Sequence, residues 1–142
     1  MITVNQLLES KPGGVVTTNP RASVYEALSL MAENDIGALP VIEGGRLVGV
    51  LSERDYARGV VLRGRTSRDM AVSELMLPPV IVSRENTIED CMALMTRERV
   101  RHLPVMEDEA LVGIVTIGDV VKQIMSEQAG LIHELEGYIR GT

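Results

Sequence analysis

The spacing of apolar residues along the chain changes from helical to strand-like and back, and this succession occurs twice. Val24, Ala27, Leu28 and Met31 recur at the spacing of one face of a helix. Two β-rich runs follow this helix and are joined by a Glu-Gly-Gly-Arg turn, which predicts an antiparallel hairpin. A second helix is expected to begin at Ser52, directly after the second run.

The second half of the chain repeats this pattern 64 residues later, without a gap from Val16 and Val80 to Val61 and Met125. Three pairs of segments carry the repeat: residues 36–42 and 100–106, residues 47–52 and 111–116, and the carboxylates Asp55 and Asp119. A repeat of this length indicates two copies of one supersecondary unit, each too small to bury its apolar face well alone. Two such copies packed together also create two equivalent clefts.

Each repeat is predicted to be a β-α-β-β-α unit. An apolar strand at 15–18 or 79–82 precedes the first helix, which begins near Ser23 or Thr87. The connection from this strand to the next should be a right-handed parallel crossover, whereas the two later strands should form an antiparallel hairpin. The predicted fold class is therefore α/β, with α+β character added by the hairpins.

The two predicted domains span residues 11–62 and 76–127. A helix at 1–10 opens on a capping box formed by Thr3 and Gln6, and its counterpart at 71–76 lies 68 residues away. The first copy therefore carries four extra residues around a Pro-Gly-Gly loop, and the polar segment between the domains makes 63–75 a linker. Residues 128–142 are predicted to form a further amphipathic helix, which either packs on its own domain or docks another subunit.

Composition and charge argue against several functional classes. A net charge of −6 and an aromatic content of 2% provide neither the basic patch nor the stacking platform of a nucleic-acid-binding protein. Cys91 is the one cysteine and aligns with Ala27, so we expect a core residue rather than a disulfide or a thiolate metal site. The sequence has no run of about 20 apolar residues that would cross a membrane and no signal-peptide pattern, so a cytoplasmic protein is expected.

The most informative local motif is a hydroxyl residue followed three positions later by aspartate. It occurs at Ser52 and Asp55, and again at Thr116 and Asp119. One interpretation is a capping box at a helix start. The other is a ligand site, because a helix N-terminus attracts phosphate and an aspartate can accept two hydrogen bonds from the diol of a ribose. The two interpretations are compatible, since a cap can also bind a ligand.

These features together resemble a tandem pair of cystathionine-β-synthase (CBS) domains, the Bateman module. The resemblance rests on Leu-Pro-Val at 39–41 and 103–105, Leu-Val-Gly at 47–49 and 111–113, and the doubled Ser/Thr-x-x-Asp. It implies two pseudo-twofold-related repeats packed through their sheets, a homodimer, and a regulatory adenosine nucleotide. AMP, ADP and ATP are the expected ligands, with NAD and S-adenosylmethionine as alternatives, and neither a catalytic cofactor nor a metal is expected.

The resemblance also implies that each cleft is shared. One repeat supplies the Ser/Thr-x-x-Asp turn and the other supplies the entries to its first strand and its Leu-Pro-Val strand. The first cleft would combine Ser52, Arg54, Asp55, Pro78, Val80, Val100, Arg101 and His102. The second cleft would combine Lys11, Gly14, Val16, Ile36, Gly37, Ala38, Thr116, Gly118 and Asp119. The ribose would lie on the aspartate, the adenine against the apolar wall and the phosphates near the helix start.

The two clefts differ in charge. Arg54 and Arg101 of the first cleft are replaced by glycines in the second, where Lys11 is the cation within reach. Arginine can bind phosphate in a bidentate way, so we expect the first cleft to favour the more highly phosphorylated ligand and the second to favour AMP or a similar adenosyl compound. The alternative is that Arg101 and His102 are solvated residues at a strand end.

This pattern bears on three possible functions. The sequence contains no nucleophilic triad, no Walker or Rossmann fingerprint and no HExxH-like spacing of its two histidines, which argues against an enzyme. A ligand-sensing regulatory module explains the paired clefts, and it would transmit its ligand state to a separate, unidentified protein through a conformational or dimer-interface change. The alternative is a protein-interaction scaffold with vestigial clefts.

Overall fold

A computed structural model describes residues 2–11 and 13–139, apart from the side chain of Tyr138. The described helices are α1 Val4–Glu9, α2 Val24–Asn34, α3 Glu53–Tyr56, α4 Val72–Leu75, α5 Ile88–Glu98 and α6 Ile117–Ile139, and α3 continues as a π-helical turn, Ala57–Val61. The described strands are β1 Ala38–Glu43, β2 Arg46–Ser52, β3 His102–Glu107 and β4 Ala110–Thr116. Pro12 of the predicted loop, Met1 of the predicted first helix, and residues 140–142 of the predicted tail lie outside the described residues.

Both predicted hairpins are present and have the same register. β1 pairs antiparallel with β2 and β3 pairs antiparallel with β4, with each pair of the first ladder recurring 64 residues later in the second. A β-bulge interrupts both ladders at the same place, after Val41 and after Val105. Gly44 and Gly45 have φ angles of 57° and 78°, the left-handed backbone that a tight two-residue hairpin turn requires. The predicted twofold repetition and mixed fold class are therefore confirmed.

The first predicted strand of each repeat is shorter than expected. Thr18 pairs with Val41 and Val82 pairs with Val105, each through a single parallel bridge. The connection into the hairpin is parallel, as predicted, but within residues 2–11 and 13–139 each sheet has two strands rather than three. Proline occurs close to both bridges and supplies no N–H to a ladder, which limits how far the pairing can extend.

The short helices α1 and α4 are exchanged between the repeats. α1 precedes the first repeat along the chain, yet its Val4 and Leu7 are buried in the core of the second. The N–H of Val4 donates to the carbonyl of Asn86 at 2.8 Å. α4 lies on the first repeat instead, where Val72 is buried and donates its N–H to the carbonyl of Ala22 at 2.8 Å. Each half of the molecule is thus completed by a helix that precedes the other half in the chain.

The buried side chains form one large cluster in each half and a smaller one beside α2. The cluster of the second half contains Val4, Leu7, Val82, Ile88, Cys91, Met95, Leu103, Val105, Val115 and Val120. The cluster of the first half contains Ala27, Met31, Leu39, Val41, Leu51 and Val72, and the smaller one contains Val24, Val60 and Met70. Cys91 is fully buried, as predicted, and burial raises the pKa of its thiol to about 11.

The end of the chain differs from the predicted arrangement of two successive helices. α6 runs without interruption from Ile117 to Ile139, so the second helix of the repeat and the predicted tail helix are one element. The reason is that the intervening residues include no proline, and a lone glycine such as Gly130 weakens a helix by about 1 kcal/mol without ending it. Of the helices in the described part of the chain, none combines the length and apolarity needed to span a membrane.

Candidate functional site

Two cavities lie where the end of each hairpin meets the other repeat. The first cleft has a volume of about 520 Å³ and contains the start of α3, and the second cleft has a volume of about 610 Å³ and contains the start of α6. Both volumes fall within the range of small-molecule pockets. Each wall combines residues from both repeats, so a ligand in either cleft would contact both halves of the molecule.

The structure brings most of the predicted site residues together. The wall of the first cleft includes all eight predicted residues: Ser52, Arg54, Asp55, Pro78, Val80, Val100, Arg101 and His102. The wall of the second cleft includes eight of the nine: Lys11, Gly14, Val16, Ile36, Gly37, Ala38, Thr116 and Gly118. Asp119 is not among the residues that line this cavity, although its partners Lys11 and Thr116 are. Whether these residues bind a ligand stays a prediction.

The Ser-x-x-Asp motif of the first cleft forms a capping box at the start of α3. Ser52 Oγ accepts a hydrogen bond from the Asp55 N–H at 3.2 Å. Oδ2 of Asp55 accepts one from the Ser52 N–H at 3.0 Å and one from the Ser52 hydroxyl at 2.8 Å. Because both residues also line the cavity, the cap holds the carboxylate in a fixed position on the wall.

The equivalent motif of the second cleft is capped in the same way but is paired with a cation. Thr116 Oγ1 accepts from the Asp119 N–H at 3.1 Å, and Asp119 Oδ2 accepts from the Thr116 N–H at 2.9 Å. The same Oδ2 lies 2.8 Å from Lys11 Nζ. Lys11 itself lines the cavity, so this ion pair holds the Asp119 carboxylate next to the second cleft.

The backbone groups beside the two clefts also have different hydrogen-bond partners. In the first half, Val50 and Leu77 exchange two backbone hydrogen bonds, at 2.9 and 3.0 Å. In the second half, the carbonyl of Ile114, which corresponds to Val50, accepts instead from Lys11 Nζ at 2.9 Å. Lys11 thus bonds both a main-chain carbonyl and a carboxylate. The first copy carries four extra residues in this segment. As a result, the ammonium group of Lys11 bonds the Ile114 carbonyl, whereas the equivalent Val50 carbonyl accepts from the backbone N–H of Leu77.

Positive charge is concentrated in the first cleft. Four arginines line it, and sequence reasoning identified two of them, Arg54 and Arg101. Arg58 could have been found from helical spacing, since it lies four residues after Arg54. Arg99 ends α5 in a left-handed conformation with φ of 56°, and its carbonyl accepts a hydrogen bond from Arg54 at 3.4 Å. Against these cations the wall carries the carboxylates of Glu53 and Asp55, so the first cleft is net positive.

His102 belongs to both clefts, although it was predicted for the first alone. Its side chain lies beside Gly37, which also lines both cavities, and a Cβ added to that glycine would lie 3.7 Å from His102 Nε2. Burial lowers the pKa of His102, the charge of Arg101 lowers it further, and Asp119 and Asp55 oppose the shift. The ring is therefore neutral at pH 7 and offers one donor and one acceptor between the clefts.

Further wall residues were not predicted. Those of the first cleft are Gly37, Val50, Glu53, Arg58, Leu77 and Arg99. Those of the second cleft are Leu8, Gly13, Val15, Asn34, Asp35, Pro40, His102, Val112, Gly113, Ile114 and Ile117. Most of them are next to predicted residues in the sequence, and this adjacency is the signal that could have identified them. Among the described residues, no group of three or more His, Cys, Asp or Glu side chains could hold a metal ion.

Comparison with known proteins identifies the repeat. The family described as the CBS domain matches residues 11–61 and 72–126. The mitochondrial CBS domain-containing protein CBSX3 of Arabidopsis thaliana is 33% identical, over 98% of this chain and 72% of that protein. A putative signal-transduction protein with CBS domains from Burkholderia ambifaria is 42% identical, with a TM-score of 0.83 over 89% of this chain and 96% of that one. The crystal structure of CBSX2 in complex with AMP shares 29% identity and a TM-score of 0.73, and covers 90% of this chain and 99% of that one.

Proposed function

We propose that this chain, which belongs to the CBS domain family, is a regulatory module that binds adenosine nucleotides in its two clefts and passes its ligand state to a separate protein. The observation that carries the proposal is that each cleft joins the capped Ser/Thr-x-x-Asp turn of one repeat to the strand entries of the other. The AMP complex of its structural relative CBSX2 supports an adenosine nucleotide as the ligand class. The module acts in the cytoplasm, is regulatory rather than catalytic, and uses no metal.

The first cleft has the chemistry for a phosphorylated nucleoside. The ribose diol donates to Asp55, which the capping box holds on the wall. The base packs against the apolar side chains of Val80 and Val100 on the opposite repeat. The phosphates extend toward the arginines, of which Arg101 lies next to His102 at the start of β3 and can bind two phosphate oxygens at once.

The second cleft must first release its internal ion pair. A ribose that donates to Asp119 competes with Lys11, whose Nζ holds Oδ2 at 2.8 Å. When the pair opens, the ammonium of Lys11 is available to a phosphate in the same cavity. Both side chains are partly exposed, 34% and 22%, so solvent screening keeps the cost of opening modest. Among the described residues of this wall, Lys11 is the one Lys or Arg, which suits a ligand with one phosphate.

Ligand binding regulates only if the two states of the module bind the ligand with different affinity. A hundredfold difference corresponds to about 2.7 kcal/mol, which shifts a balanced equilibrium decisively. The clefts can produce such a difference because each is built from both halves, so its ligand favours one relative position of the two. NAD and S-adenosylmethionine share the adenosyl group and belong in the same test.

The decisive experiment is thermal unfolding with AMP, ADP, ATP, NAD and S-adenosylmethionine. We expect at least one of them to raise the melting temperature, and Asp55→Ala with Asp119→Ala to weaken its binding about ten- to a hundredfold, since hydrogen bonds to a charged group are worth about 1.5–3 kcal/mol. Asp90→Ala is a matched control. Asp90 forms the same capping box with Thr87 at the start of α5, away from both clefts.

The control separates ligand binding from helix capping. Each of the three substitutions removes a cap and lowers stability by about 0.5–2 kcal/mol, but only those in the clefts should weaken binding. If no nucleotide shifts the melting temperature of the wild-type protein, the sensing function is wrong and the scaffold alternative is supported.

Arg101→Ala tests the charge difference between the clefts. Isothermal titration is expected to show ATP affinity falling about tenfold and AMP affinity falling less, because the proposed pose directs the outer phosphates, which AMP lacks, toward Arg101 on the cavity wall. Arg97→Ala is the control, since Arg97 is on α5 but outside the cleft. An equal loss of affinity for the two nucleotides would show that Arg101 does not distinguish the number of phosphates.

A further inference from the structure

α6 presents a long apolar face that nothing in the described residues covers. The helix has 23 residues, which corresponds to a length of about 35 Å. Its first turns pack on the second repeat through Val120 and Ile124. Every residue from Met125 to Glu136 is exposed. The second half of the helix therefore projects beyond the body of the molecule.

The apolar side chains on this helix follow the spacing of a coiled coil. The seam positions are separated alternately by four and three residues: Val121, Met125, Gln128, Ile132, Leu135 and Ile139. Five of the six are apolar and between 47% and 86% exposed. Gln128 is the single polar position. Leu131 borders the seam and is 55% exposed, which widens the apolar face.

The accessible surface of the chain is larger than a compact monomer of its size would have. The chain exposes 9065 Å², whereas a folded monomer of 15.5 kDa exposes about 7,200 Å². The excess of roughly 1,900 Å² exceeds the area of about 800 Å² that each partner contributes to a standard protein interface. A second copy of this chain provides an occupant of the required length and apolar pattern.

We propose that α6 pairs antiparallel with α6 of a second copy, centred near Gly130. In this register Lys122 of each copy lies beside Glu136 of the other, so the two flanking charges form complementary pairs. Leu131 of each copy meets Leu131 of the other across the twofold axis. The projecting half of each helix then covers the exposed Val121 and Met125 of the other copy. A parallel pair would instead place Glu136 against Leu131, which leaves the charges without partners.

Analytical ultracentrifugation tests whether the apolar face of α6 forms a dimer interface. The wild-type chain is expected to be a dimer at micromolar concentration, and Ile132→Glu with Leu135→Glu is expected to be monomeric. Both side chains lie beyond the body of the molecule and are more than half exposed, so the fold is retained. Ile81→Glu is the matched control, since Ile81 is 52% exposed and lies in the segment between α4 and α5, not on α6. A wild-type monomer, or a dimer that survives the double substitution, would overturn the proposal.

Charge reversal and cross-linking test the antiparallel arrangement. Lys122→Glu and Glu136→Lys are each expected to weaken the dimer roughly tenfold, and the double reversal to restore it, because rim charges pair across the interface. Under a disulfide-forming oxidant, Leu131→Cys should cross-link to its copy and Ile139→Cys should not, and Cys91 is buried in both. The opposite cross-linking pattern, or no rescue by the double reversal, would exclude this register.

Discussion

Val4→Asp is expected to expose the thiol of Cys91 to alkylating reagents. The two residues are far apart in the sequence, because Val4 precedes the first repeat and Cys91 belongs to the second. Val4 is fully buried in the same cluster as Cys91. A buried unpaired carboxylate is so unfavourable that α1 should undock instead. Undocking gives up Val4 and Leu7, whose burial contributes about 3–6 kcal/mol. Since about 2.7 kcal/mol corresponds to a hundredfold change, we expect thiol labelling to accelerate at least about a hundredfold.

Val72→Asp provides the matched comparison. Val72 is equally buried, but it lies on α4 and in the cluster of the first half. It should lower overall stability by a similar amount while accelerating the labelling of Cys91 much less than Val4→Asp does. Hydrogen exchange should show the same division, with protection lost in α5 for Val4→Asp and in α2 for Val72→Asp. Equal labelling rates for the two variants would contradict the exchange of helices.

Leu103→Ala is expected to lower the free energy of unfolding by about 2–5 kcal/mol, because it removes a fully buried side chain and leaves a cavity. That is a large part of the 5–15 kcal/mol typical of a domain. Leu39 has the equivalent position in the first half and is equally buried, so Leu39→Ala should have a similar effect. Urea denaturation measures both. Leu62→Ala is the control, since Leu62 is 79% exposed and its loss should change stability by less than about 0.5 kcal/mol.

Ligand addition extends this experiment. A nucleotide at a hundred times its dissociation constant stabilises the folded state by about 2.7 kcal/mol per site. It should therefore recover most or all of the roughly 2–5 kcal/mol lost in Leu103→Ala, provided that the clefts keep their shape. A loss of less than 1 kcal/mol on substitution would show that the Leu-Pro-Val strand is not packed as the structure has it.

The features that could be predicted from the sequence are those that depend on near neighbours in the chain. The capping boxes of Ser52 and Thr116, the Gly44-Gly45 turn and the helical face of α2 each depend on residues a few positions apart. Most of the residues that line the two clefts could be predicted, because the repeat and the family resemblance indicated which segments of the two repeats lie together. Arg58 was missed although its spacing from Arg54 was available.

The features that could not be predicted depend on which distant segments of the chain pack against each other. The 68-residue separation of the first helices was visible, but it could not show that α1 packs on the second half. The resemblance implied that Lys11 and Asp119 share the second cleft, but it could not show that Lys11 pairs directly with Asp119 and also bonds the Ile114 carbonyl. The single-residue parallel bridges were missed because apolar β-branched composition does not reveal how many backbone pairs a segment forms.

The exchange of α1 and α4 makes this chain the covalent equivalent of a domain-swapped dimer. A unit consisting of one leading helix and one repeat could not cover its own core with that helix, but two such units could complete each other reciprocally. Joining them through residues 62–71 turns an association between molecules into an encounter within one, at the high effective concentration that a short linker gives. The two halves therefore cannot lose contact without each losing part of its own core. Any movement that a ligand induces between them must be a small adjustment rather than a separation.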